Sequence, residues 1–133
     1  MSFGPFDYGK FAVKLAEELR KLEILAEKES VTVPAGQSVY LPDEGGVDVS
    51  EYKFKTISFY ADYALNFIVE VSDDGTFTDY PQYYPSSGSE SLTANQLETL
   101  SFEEDFKYVR VKVSNPDTSD HIINQFRIKG RRL

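Results

Sequence analysis

The chain changes its hydrophobic period once. From Tyr8 to about Glu29 the positions Tyr8, Ala12, Leu15, Leu19, Leu22 and Ala26 recur at spacings of 4, 3, 4, 3 and 4, a heptad seam widened by Phe11 and Leu25. This predicts an amphipathic helix with Asp7 as its N-cap. Lys14 with Glu18 and Glu17 with Lys21 sit four residues apart, where each pair adds only about 0.3 kcal/mol. A helix of ~22 residues would be ~33 Å long and marginal alone in water. Its stripe must therefore lie on something. Two partners are open: the domain's own sheets, or the same helix from other subunits in a short coiled coil.

After Ser30 the period becomes two. The segment 52–63 places Ile57, Phe59 and Ala61 on one face, and Leu65, Phe67, Val69 and Val71 do the same in the next segment. Asp74-Gly75 then signals a hairpin turn. Further on, Val109, Val111 and Val113 point inward with Arg110 and Lys112 outward. In the last strand Ile122, Phe126 and Ile128 are expected inward, with Arg127 and Lys129 outward. Clean alternation predicts antiparallel sheets buried on one face. Several such strands joined by turn residues predict a β-sandwich or jelly roll. The expected organisation is a helical arm over residues 1–30 and a sandwich domain over residues 31–133, with "PSSGSES" as a mobile loop.

Composition sharpens this picture. Ten Phe and nine Tyr without any Trp favour strands. The absence of Cys excludes disulfides, thiolate metal sites and Cys nucleophiles. No apolar run is long enough to span a membrane, and the first ten residues lack the basic start and apolar run of a secretory signal. The expected site of synthesis is a cytoplasm. The net charge of −8 argues against nucleic acid as a partner.

Candidate chemistry is sparse. His121 is the sole histidine, so a Ser-His-Asp triad would have to run through it and a two-His metal site is excluded. The carboxylate groups Asp73-Asp74 and Glu103-Glu104-Asp105 lie in turn-like segments with no sign of a cleft between paired acids. The expectation is a chain that is not an enzyme. Arg110, Lys112, Arg127 and Lys129 form a basic face if their strands pair, extended by Arg131 and Arg132, and such a face would dock an acidic neighbour. Tyr80, Tyr83 and Tyr84, with Gln82 and two prolines, have the composition of a glycan platform. They also suit a protein interface, or the lid of a core.

The segments "FIVEVSDDGTFTDY", "FKYVRVKVSN" and "INQFRIKG" resemble the discoidin or galactose-binding-like jelly roll. Ser72, Asp74 and Gly75 match that family's turn, Phe77 stands where it often has Trp, and Tyr108, Val109 and Arg110 match its later strand. The resemblance covers roughly residues 50–130 and lacks the family's terminal cysteines. It implies an eight-stranded sandwich that binds glycans or other surfaces through loops at one end. It also implies a structural calcium, for which Asp43, Glu44 and Asp48 are candidates, and no other cofactor. "TISFYADYALNFIVEVSDDGTF" is also similar to sandwich modules of phage virion proteins. That implies a structural protein of a tail, baseplate or capsid decoration, found in the virion or in the host cytoplasm before assembly. Its partners would be itself, as a homo-oligomer such as a trimer, and other assembly proteins. The alternative is a carbohydrate-binding module using the tyrosine loop.

Overall fold

A computed structural model of the chain describes residues 21–78 and 81–132. Ten strands carry this part: β1 (Glu23–Val33), β2 (Ser38–Leu41), β3 (Val47–Asp48), β4 (Phe54–Ala61), β5 (Asn66–Ser72), β6 (Gln82–Tyr84), β7 (Glu90–Ser91), β8 (Leu97–Phe102), β9 (Tyr108–Ser114) and β10 (His121–Arg131). They form two antiparallel sheets. One has the order β1-β10-β4-β8; the other runs β2-β9-β5-β6, with β3 also on β9 and β7 also on β5. The described region is mainly β, as the alternation predicts, and contains no helix.

The sheets meet through interleaved apolar rows. Ile57, Phe59, Phe126 and Ile128 from one sheet face Phe67, Val69, Val109, Val111 and Val113 from the other, all buried in one core. Phe59 lies at the centre, its ring 5.0 Å from Phe67 and 5.5 Å from Phe126. Burying each such side chain contributes about 1.5–3 kcal/mol. The last strand corrects one inward assignment. Register shifts between Ile123 and Gln125 against β4, so Ile123 is fully buried and Ile122 is exposed. The bulge resets the side-chain parity, and Phe126 and Ile128 point inward as expected.

The helix expected to reach Glu29 is corrected over its last part. Glu23–Val33 is an edge strand paired along its length with β10. Leu22 is exposed and Ala26 pairs with Ile128. Helix propensities differ by only tenths of a kcal/mol per residue, which ladder pairing with a buried strand outweighs. The expected boundary at residue 30 therefore falls inside β1. Tyr8, Ala12, Leu15 and Leu19 lie outside the described residues.

The residues carrying the family resemblance build local structure. The Ser72 hydroxyl accepts from the backbone N–H groups of Asp74, Gly75 and Phe77 and donates to the Asp74 carboxylate. That carboxylate also accepts from Thr76, and these hydrogen bonds, led by the Thr76 hydroxyl's, hold its pKa below the usual range. The turn forms at Gly75 with φ +83°, but the return strand β6 starts only at Gln82. Arg110 lies between the rings of Tyr40 and Phe77, 4.1 and 4.3 Å away. It donates to Glu70 across the sheet and to the Glu44 carbonyl of the turn before β3.

That turn depends on Gly46. Its φ is +69°, and a Cβ there would sit 2.6 Å from the Val109 carbonyl oxygen and 2.8 Å from the Phe77 ring. Gly46→Ala is expected to lower stability by about 1–3 kcal/mol, read as a lower urea midpoint. An unchanged midpoint would show that the turn relaxes freely.

Candidate functional site

β6 and β8 are the edge strands on one side of the sandwich, each the end of its sheet. Between them lies a cleft of about 390 Å³ lined by Val69, Tyr83, Tyr84, Leu100, Phe102 and the segment Ser101–Glu104. One irregularity shapes it. β6 pairs Tyr84 with Val69 and Gln82 with Glu70, leaving Tyr83 as an extra residue. In a regular strand Tyr83 and Tyr84 would point to opposite faces. The bulge lets both line the cleft.

The two tyrosines differ in setting. Tyr83 packs into a ring cluster with Phe102 and Phe106, at 5.6 and 5.4 Å. Burial, and then its hydrogen bond to Glu104, push its phenol up to about 12. The same bond, together with backbone N–H donors, holds the Glu104 carboxyl below its usual range. Tyr84 is 37% exposed, stacks on Phe67 at 6.2 Å, and directs its hydroxyl toward Glu90 at 3.5 Å. Gln82 is not a free polar contact. Its amide donates to the carbonyls of Pro85 and Gly88 and ties down the following loop. Tyr80 lies outside the described residues, so the structure speaks to the tyrosine pair and not the trio.

The opposite wall escaped the sequence reading. In "LETLSF" Leu97 is 62% exposed while Leu100 and Phe102 pair with Ile57 and Lys55 and turn inward. The outward Leu97 hides the period of two. Lys55 was also missed. It shares the parity of Ile57 and Phe59, so a cation at an inward position was the available signal. Its side chain is 1% exposed. The ammonium donates to the Glu104 carbonyl and lies 4.9 Å from the Phe106 ring, fixing the cleft's rim. Burial lowers its pKa from the ordinary 10.5, opposed by the carboxylates of Asp105 and Glu104.

Other candidates are dispersed. Arg110 and Lys112 are on β9, whereas Arg127 and Lys129 are on β10 in the other sheet. The expected shared basic face is thus corrected: β9 and β10 do not pair. Arg110 and Arg127 are engaged with Glu70 and Glu27, and Arg132 with Glu51 and Glu23. In the loop proposed for calcium, Asp43 accepts from Gly45 and Asp48 from Ser50. Glu44 contributes its carbonyl to Arg110. Among the described residues no three His, Asp or Glu side chains gather as a metal-ligating group. His121 bonds Asp117 at 2.7 Å and stacks on Tyr63 at 3.9 Å, joining two loops.

No protein-family model matches the chain, and no curated protein matches it. A solved structure named "BiXyn10A CBM1 APO" is similar over 82% of this chain and 96% of that one, with a TM-score of 0.41 and 10% identity. A likeness at that level establishes neither family nor ligand.

The buried Lys55 gives a pH signature. The folded chain holds this proton less tightly than the unfolded chain. The unfolded state therefore binds more protons between the lowered pKa and 10.5, and stability rises with pH in that window. Urea unfolding of the wild type and Lys55→Met from neutral pH to about 10 should show this rise in the wild type and its loss in the variant. Parallel curves would contradict the assignment.

Proposed function

We propose that this chain is a non-enzymatic carbohydrate-binding module of jelly-roll type, and that the cleft between β6 and β8 takes a short saccharide. The observation that carries the reading is the bulge that turns two consecutive tyrosines into one cleft. Its volume of about 390 Å³ falls within the usual ligand-site range of roughly 300–1,000 Å³. The lining is mostly apolar and aromatic, with a few polar groups at the rim. A half-exposed ring supports the apolar face of a sugar, and the carboxylates of Glu103 and Glu104 and the Ser101 hydroxyl offer partners for sugar hydroxyls. Catalysis is not part of the proposal. Glycoside hydrolysis needs two carboxyls flanking the bond, and here Glu103 and Glu104 are neighbours on one wall, facing Tyr83, Tyr84 and Val69.

A second reading keeps the assembly role, favoured by the exposed Leu22, Ile24, Leu97 and Ile122. These lie at strand ends rather than in one patch, and single exposed apolar residues are ordinary. Nothing about them points to a virion over any other setting.

Binding to a glycan array, followed by calorimetry on the saccharide captured, tests the proposal. Tyr84→Ala should weaken that saccharide by about tenfold or more, the loss expected for an aromatic contact worth about 1.5 kcal/mol, with the sandwich still folded. Unchanged affinity in Tyr84→Ala, or an array without binding and a concentration-dependent oligomer by light scattering, would favour the assembly reading.

A further inference from the structure

Across the edge strand β8 from the cleft lies a second cavity, of about 340 Å³, lined by Leu22, Phe54, Thr56, Ser101, Phe102, Glu103 and Arg131. The two share Ser101, Phe102 and Glu103, so a ligand crossing the end of β8 would reach both. Arg131 sets this cavity apart. Among the described arginines, Arg110, Arg127 and Arg132 each have a carboxylate partner. Arg131 has none among the described residues, and its Nε is buried without a hydrogen-bond acceptor. Such a buried donor left unmade is costly and is usually explained by a missing partner.

The guanidinium centre lies over the Phe54 ring, 4.2 Å from its centroid. The charges around it favour an anion. Lys53 lies 5.9 Å from the same ring, and Lys129 is on the outer face two residues before Arg131, paired with Thr56. Among the described residues, Glu103 is the one carboxylate lining the cavity. The planar guanidinium fork, placed over a ring, suits a planar carboxylate bound through two parallel N–H donors. A doubly charged phosphate would meet more repulsion from Glu103 and from a chain of net charge −8. The hydroxyls of Thr56 and Ser101 line the same cavity and suit sugar hydroxyls.

We propose that Arg131, stacked on Phe54, is the carboxylate-recognising residue of a second subsite, and that the saccharide of the cleft carries a uronic acid. This rests on the saccharide reading of the cleft. Leu22, half exposed, lines the same cavity beside Arg131.

The test uses the full chain and trimers of galacturonic, glucuronic and mannuronic acid, each against its methyl ester, by calorimetry. At least one acid should bind about tenfold or more tightly than its ester, as charge-assisted hydrogen bonds imply. Arg131→Gln should erase that preference and leave ester binding in place. Arg131→Lys keeps the charge without the planar fork and should retain only part of the preference; it carries the test if the Gln variant does not fold. Equal binding of acids and esters, or a preference that survives both substitutions, overturns the subsite and leaves the cleft reading standing. No binding of either form overturns the subsite, and the cleft reading falls with it only if the glycan array also captures no saccharide.

Discussion

The contact between the two sheets is the constraint on which the other features depend. Each strand must present an unbroken apolar row to the opposite sheet, and side-chain direction alternates with every residue. An irregular residue therefore has to be absorbed by a bulge or it would expose the core. Two of the three bulges among the described strands serve different ends. At Asn124 the bulge in β10 restores the parity of Phe126 and Ile128 after Ile123. At Tyr83 the bulge in β6 brings a second aromatic to a side that a regular strand would give to one.

The cleft follows from where the sheets end. β6 and β8 terminate the two sheets on the same side, and the rings of Tyr83, Phe102 and Phe106 close the core beneath the gap. Lys55 ties the rim segment to the core by reaching the Glu104 carbonyl. A buried ammonium is costly to desolvate, so this bond and the adjacent ring act together to keep it in place. Arg110 does comparable work at the other end of the second sheet, linking β5, β9 and the turn before β3. Neither cation is free for a partner, which leaves the aromatic rings, the carboxylates and Arg131 to the binding we propose.

Much of this was legible in the chain. The alternation in β4, β5 and β9 placed Ile57, Phe59, Phe67, Val69 and the Val109–Val113 row correctly. Ser72, Asp74 and Gly75 marked the turn they build. β1 was misread because Leu22, Leu25 and Ala26 fit a helical spacing while pairing with β10 was invisible locally. β8 was missed because Leu97 points outward. The cleft could not be read at all from local pattern. It needs Tyr83 and Phe102, nineteen positions apart, on facing edges, and a bulge whose only trace is two adjacent tyrosines. The basic face failed for the same reason, since pairing decides which sheet each cation joins.

The place of binding can be read by amide and aromatic chemical-shift mapping on labelled full chain titrated with a saccharide it binds. The largest changes are expected on Tyr83, Tyr84, Leu100 and Phe102, on both walls of one cleft. Changes confined to the turns around Asp43–Asp48 or Asn115–Asp120, with those four residues unmoved, would contradict it.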